Sequence, residues 1–230
     1  MRWFMTLIVA LAAGFAGAAL WDTSGLGGQS TRDYLLANPE VLPQAMEVLQ
    51  QRDLMARIEP LRGELETPFP GAVLGNPAGS VTLVEFSDYA CTYCRQSVAD
   101  VAALVAANPD LKVVMREYPI LSPESLDAAR MALAAAQQGR YARFHDAMFR
   151  LGPPSAESIE AAATEAGVDL ARARAAIASG VFDPHLQANS QLAAQLGISG
   201  TPGWVIGRQA LNGAVGRATI GEAIEEARRS

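Results

Sequence analysis

"VTLVEFSDYACTYCRQSVADVAALVAAN", residues 81–108, decides the reading of this chain. Its first six residues read as a buried-type strand, and "RQSVADVAALVAAN" reads as a helix ending at Asn108-Pro109. Cys91 and Cys94, the only cysteines of the sequence, therefore lie where a strand hands over to a helix. A thiol at such a junction meets unpaired backbone N–H groups and the positive end of the macrodipole, which bring its pKa below the free value of ~8.5. Cys91 occupies that place and is expected to be the attacking sulfur. Cys94, one turn further in and better buried, is the resolving one. A depressed thiol pKa stabilises the reduced form and makes the disulfide more oxidising, with the intervening Thr92 and Tyr93 as local tuners.

Two further features bear on the pair. Glu85 stands six residues before Cys91 in a strand otherwise apolar, between Leu83, Val84 and Phe86. A carboxyl there is either desolvated, with a raised pKa and a place beside the cysteines as a proton relay, or an acid on a solvent-facing strand end. Far downstream, "ISGTPGWVIG" (198–207) sets a Thr201-Pro202 bond between a helix and a strand. An X-Pro bond takes the cis form for only ~0.5–1 kcal/mol, and a cis bond would expose the backbone of Thr201 to an incoming peptide. The alternative is a plain loop.

The remainder of the sequence narrows what the pair can be. With 230 residues, half of them apolar, the chain builds one ordinary domain plus an extension or insertion. A net charge of −6 with scattered Arg and Lys offers nothing to a phosphate backbone, so nucleic acid is not an expected partner. No Gly-rich phosphate-binding run is present, and no organic cofactor is called for. As a structural staple the pair closes a tiny loop and restrains the unfolded chain little. Zinc needs four ligands, and only His145 and His185 supplement the cysteines, neither at motif spacing and both read as structural. No metal site is therefore assigned, although two thiolates could still hold Cu(I), which leaves a copper-binding role as the alternative.

Residues 1–21 carry one positive charge, Arg2, and then no charge before Asp22, with small residues at Ala16, Gly17 and Ala18. This reads as an export signal, removed after Ala18 or retained as an anchor with Trp3 and Trp21 at the two interfaces. Residues 22–30 read as a flexible link. Residues 31–66 read as a helical arm with apolar Leu42, Ala45, Met46 and Leu49, then Leu54, Ile58, Leu61 and Leu65. Asn38-Pro39 is expected to start its helix and Pro60 to kink or end it. The arm either packs on its own domain or joins protomers. From residue 67 the order is strand, helix, strand, a helical block over about 122–196, two short strands and a last helix, which is an α/β sheet with a helical insertion.

"VTLVEFSDYACTYC" followed by "GTPGWVIG" resembles the DsbA-like branch of the thioredoxin superfamily, the thiol–disulfide oxidoreductases of the bacterial envelope. The likeness extends to "REYPIL" (116–121), "AARMALAAAQQGRYARFHDAMF" and "GEAIEEARR", and so covers about residues 70–230. It implies a thioredoxin-like fold with an inserted helical domain, Cys91 and Cys94 as the redox centre, Glu85 as a buried proton relay, and a cis Pro202 behind Thr201 facing the sulfurs. The arm "YLLANPEVLPQAMEVL" is similar to the N-terminal segment of the ScsC type, the suppressor-of-copper-sensitivity proteins. That implies self-association through 31–66 and shuffling of disulfides in periplasmic client proteins, with a membrane redox partner to reset the cysteines. Thr201 before the proline also resembles the isomerase-type members. Thr92-Tyr93 departs from the Pro-His of the strong oxidants.

Overall fold

The computed structural model describes residues 2–23 and 26–229. Among these, the strand expected at 81–86 forms β2 (Val81–Ser87), the middle of a five-stranded sheet with order β1-β3-β2-β4-β5. The others are β1 (Val73–Gly75), β3 (Leu111–Glu117), β4 (Gly203–Ile206) and β5 (Gln209–Asn212). β2 runs parallel to β3 and antiparallel to β4, which places Glu85 opposite Met115 on one side and Trp204 on the other. A strand covered on both faces needs no polar alternation, and that is why "VTLVEF" reads as an almost unbroken apolar run.

Alternate residues of the central strands feed two cores. Leu83, Val113 and Met115 face α4 (Thr92–Ala107) and α10 (Gly216–Ala227). The same core continues into a helical block of α5 (Pro123–Ala136), α6 (Tyr141–Leu151), α7 (Ala156–Ala166) and α8 (Leu170–Ala178). Ser122 caps α5 by accepting from Ser125 N–H, and Pro123 pre-sets its first turn. The buried face of α5 is largely alanine, and small side chains let neighbouring helices approach closely.

Val84, Phe86, Val114, Tyr118 and Val205 face the other way, against α9 (Asp183–Leu196) and the latter part of α3 (Val41–Glu66). Two expected boundaries move as a result. The inserted block closes before α9, because Leu192, Ala193 and Leu196 pack on the sheet. The division expected at 66/67 falls instead between Arg52 and Asp53. Ile58 and Leu65 are each only 1% exposed and belong to the sheet's second core, with Leu54 and Leu61 beside them. Residues 53–66 are thus part of the domain.

Pro60 neither ends nor breaks α3, which runs on to Glu66. Docking of Ile58 and Leu65 on one sheet face holds the turns on either side of the proline, which outweighs the single ladder bond it deletes. Asn38 does not open α3 either. Its side-chain amide and its backbone N–H both donate to the Tyr34 carbonyl, so it closes the preceding helix.

The unit Met1–Arg52 contains α1 (Arg2–Thr23), α2 (Leu26–Ala37) and the start of α3. The flexible link expected at 22–30 is replaced by the end of α1 and the start of α2, with Ser24 and Gly25 outside the described residues. Tyr34, Leu36, Leu42, Met46 and Leu49 are all exposed. Among the described residues no helix is long and apolar enough to cross a membrane. The choice between cleaved signal and anchor falls partly on Met1 and on the side chains of Ala18 and Trp21, which lie outside the described residues.

Candidate active site

β2 ends at Ser87, and a turn of four residues leads into α4, with Cys91 as the extended N-cap residue at φ −78° and ψ 119°. Its N–H donates to the Asp88 carbonyl at 3.0 Å and its own carbonyl accepts from Arg95 N–H. The helix start therefore fixes the Cys91 backbone while its side chain stays free of a capping bond. Both cysteines are free thiols, 6% exposed at Cys91 and 1% at Cys94. The outer sulfur is the reachable one, as the one-turn spacing suggests.

The Cys91 thiol donates to the carbonyl of Thr201 at 3.2 Å, which joins positions 110 residues apart in the chain. The Thr201-Pro202 bond is cis. Its loop is held from behind, since the Pro202 carbonyl accepts from Gly213 N–H and the buried Trp204 indole donates to the Gly213 carbonyl at 2.9 Å. Gly203 is required there for space, because a Cβ on it would stand 2.4 Å from Cγ2 of Ile198. The loop thus offers a main-chain carbonyl to Cys91, and any chain bound alongside the sulfur would run past it.

Beneath the sulfurs the sheet carries carboxyls. Glu85 is buried, which removes the reading of an acid on a solvent-facing strand end. Burial pushes its pKa up to about 8, with Ser87 alongside pulling the other way. Burial also raises the Cys94 thiol, an effect reinforced by the Glu85 charge and opposed by the main-chain N–H of Asp88. The carboxyl and the inner thiol therefore lie near enough for the charge of one to oppose ionisation of the other.

The structure brings Cys91, Cys94, Glu85, Thr201 and Pro202 into one neighbourhood. Thr92 and Tyr93 expose their side chains to solvent on the first turn of α4, away from the buried sulfur of Cys94. Residue-by-residue reading of the sequence passed over Asp88 and Glu117. Glu117 follows Val113 and Met115 at every second position of β3, so the spacing of "LKVVMREY" could have placed an acid on the buried face. Its carboxyl accepts from Tyr141 Oη at 2.7 Å and Tyr89 Oη at 3.3 Å, and burial raises its pKa to about 8. His145 is buried in the same aromatic group, with Nδ1 3.4 Å from Tyr89 Oη and its pKa pushed down to about 4 by burial. His185 is exposed and lies edge-on to Phe69. Among the described residues no three or more His, Cys, Asp or Glu side chains gather as they would around a metal ion.

Comparison with known proteins agrees with this geometry. Residues 82–225 match the DSBA-like thioredoxin domain, and residues 29–53 match the N-terminal domain of the copper resistance protein ScsC. A thioredoxin-like oxidoreductase from Silicibacter pomeroyi is 40% identical with a TM-score of 0.66, over 69% of this chain and 92% of that one. A periplasmic thioredoxin-like protein from Salmonella enterica is 26% identical with a TM-score of 0.64, over 74% and 97%. Proteus mirabilis ScsC, as a linker-deletion variant, is 25% identical with a TM-score of 0.67, over 86% and 92%. Among curated sequences, 100 residues are 33% identical to the Na(+)/H(+) antiporter NhaA 3 of Salinispora tropica, but the match spans only 14% of that protein. On the strength of the domain match, the 40% identical structure and the shared fold, the chain belongs to the DSBA-like thioredoxin-domain family.

Proposed function

We propose that this protein is an exported thiol–disulfide oxidoreductase that shuffles disulfides in periplasmic client proteins, acting as an isomerase rather than a strong oxidase. The contact of Cys91 Sγ with the Thr201 carbonyl, above a buried Cys94, carries the reading. The Cys91 thiolate attacks one sulfur of a client disulfide, forming a mixed disulfide and expelling the other client sulfur as a thiolate. A second client thiolate then attacks the mixed disulfide, forms a new client disulfide and restores Cys91 with no net electron transfer. In the competing exit Cys94 gives its proton to Glu85 in the ionised form that grows in as pH nears 8, and attacks Cys91 Sγ, releasing the client thiolate and leaving a Cys91–Cys94 disulfide. That disulfide needs electrons from a membrane reductase to be reset.

Export is supported by the single early charge, Arg2, and the uncharged run up to Asp22. The isomerase direction is supported by the segment that matches ScsC and by the exposed Leu42, Met46 and Leu49 on it, an apolar stripe suited to joining copies of the chain. Joined protomers would present several Cys91 sulfurs to one misbridged client.

Refolding of a scrambled multi-disulfide protein tests the reading. Residues 31–230 should assemble and restore native disulfides. Changing Leu42, Met46 and Leu49 to Lys should give monomers that still reduce a small disulfide but rescue the scrambled client at least several-fold more slowly. These substitutions leave in place Ile58 and Leu65, which a cut at residue 66 would strip from the core. Equal rescue by the monomer points instead to a simple oxidase or reductase.

A further inference from the structure

Asp88 is 1% exposed, and all of its polar atoms have tasks. Oδ1 accepts from Ala90 N–H at 2.8 Å, while Oδ2 accepts from Ile120 N–H at 2.8 Å and Leu121 N–H at 2.9 Å. Its carbonyl accepts from Cys91 N–H, and its main-chain N–H faces the Cys94 sulfur, where it favours the thiolate. Its backbone thus bonds Cys91 directly and bears on the ionisation of Cys94, and its side chain ties that backbone to the segment following β3.

We propose that Asp88 is a positioning residue for both sulfurs, a buried carboxylate that locks the turn between β2 and α4 against residues 120–121. Three backbone donors around one carboxylate make a rigid anchor, because charge-assisted hydrogen bonds are shorter and about twice as strong as neutral ones. With the anchor in place the Asp88 N–H is held toward Cys94 and the Asp88 carbonyl toward Cys91. Without it, the turn keeps its sequence but loses the fixed direction of both groups. Other titratable groups around the pair are Glu85 from β2, Glu117 from β3, Tyr89 on the turn, and Tyr141 and His145 from α6. These carry no backbone link to either cysteine.

The inference rests on the thiol–disulfide reading, and one titration separates the two. Wild type, Asp88→Asn and Ile120→Pro are equilibrated in full-length form with glutathione buffers, and the fraction of Cys91–Cys94 disulfide is measured. Asp88→Asn keeps the size of the side chain but replaces one acceptor oxygen by a donor. Weaker support of the reduced sulfurs should make the disulfide less oxidising, shifting its equilibrium with glutathione by about fivefold, the scale of one hydrogen bond. Ile120→Pro removes one of the three donors and sets its ring Cδ against Oδ2, displacing the carboxylate without changing residue 88, and should shift the equilibrium in the same direction. If Asp88→Asn does not fold, Ile120→Pro alone decides. An equilibrium unchanged in the folded variants overturns the role of Asp88, whereas a wild type that forms no Cys91–Cys94 disulfide in any buffer overturns the functional reading itself.

Discussion

Glu85→Gln should leave the protein's stability nearly unchanged at pH 4.5 and raise it by a few kcal/mol at pH 8. The carboxyl's pKa rises from 4.5 in the unfolded chain to about 8 in the fold, chiefly through burial. Between those values the folded state holds a proton that the unfolded state has lost. Stability is therefore full below the unfolded pKa and falls as pH climbs toward the folded one, at up to ~1.4 kcal/mol per pH unit for each such group. Gln keeps the shape and does not titrate, so the penalty disappears. Glu117, also raised to about 8, slopes in the same direction and leaves a residual pH dependence in the variant. Urea unfolding at a series of pH values reads the difference, and an unaltered slope would mean that Glu85 is solvated. The same change removes the proposed acceptor for the Cys94 proton. Resolution of a mixed disulfide at Cys91 should then slow on the order of 100-fold, the scale of a lost general base.

Arg116→Ala should cost about 2–4 kcal/mol, the scale of losing several hydrogen bonds from a charged donor and leaving buried acceptors without it. Arg116 is 8% exposed and lies on the sheet face opposite Glu85 and Glu117, beneath the end of α3. One terminal nitrogen donates to Asn189 Oδ1 at 3.1 Å. The other donates to the carbonyls of Glu64, Leu65 and Thr67, the last at 2.8 Å. The Leu65 and Thr67 carbonyls lie at and just past the helix C-terminus, where such groups have no ladder partner, and a cation there also complements the macrodipole. With Ala in place the carbonyls lose their donor, and the docked part of α3 loses the tie that holds Ile58 and Leu65 on the sheet. At ~2–4 °C per kcal/mol for a chain of this size, Tm should fall by roughly 10 °C. Arg116→Lys should recover only part, since a point charge cannot span acceptors on both sides. A loss under about 1 kcal/mol would show that apolar packing alone docks the helix.

The elements that deliver the site were legible because their chemistry is local. A buried strand shows as an apolar run, a helix start as a cysteine followed by helical periodicity, and the Thr201-Pro202 loop as a proline between glycines. Its apolar neighbours in the strand left two readings open for Glu85, and the cover on both faces of the sheet decides for burial. What escaped was set by contacts distant in sequence. Asp88 acquires its role only when the chain returns at Ile120 and Leu121, and Glu117 only when Tyr141 of α6 folds back over it. The division of the arm was hidden for the same reason. Apolar spacing runs through residues 42–65 without a break, and only the sheet face carrying Val84, Phe86 and Val114 shows that Ile58 and Leu65 are core while Leu42, Met46 and Leu49 stay exposed. Thr92 and Tyr93, named as tuners by their place between the cysteines, both present their side chains to solvent.

The central claim is that Cys91 exchanges disulfides with client proteins and that Cys94 ends the exchange. Cys94→Ala tests it most directly. Incubated in reduced form with a scrambled disulfide client and run without reductant, this variant should accumulate a covalent adduct linked through Cys91, while Cys91→Ala should form none. Absence of any adduct from Cys94→Ala, together with stoichiometric Cu(I) binding by the wild type, would contradict the account and favour a copper site built from the same two thiolates.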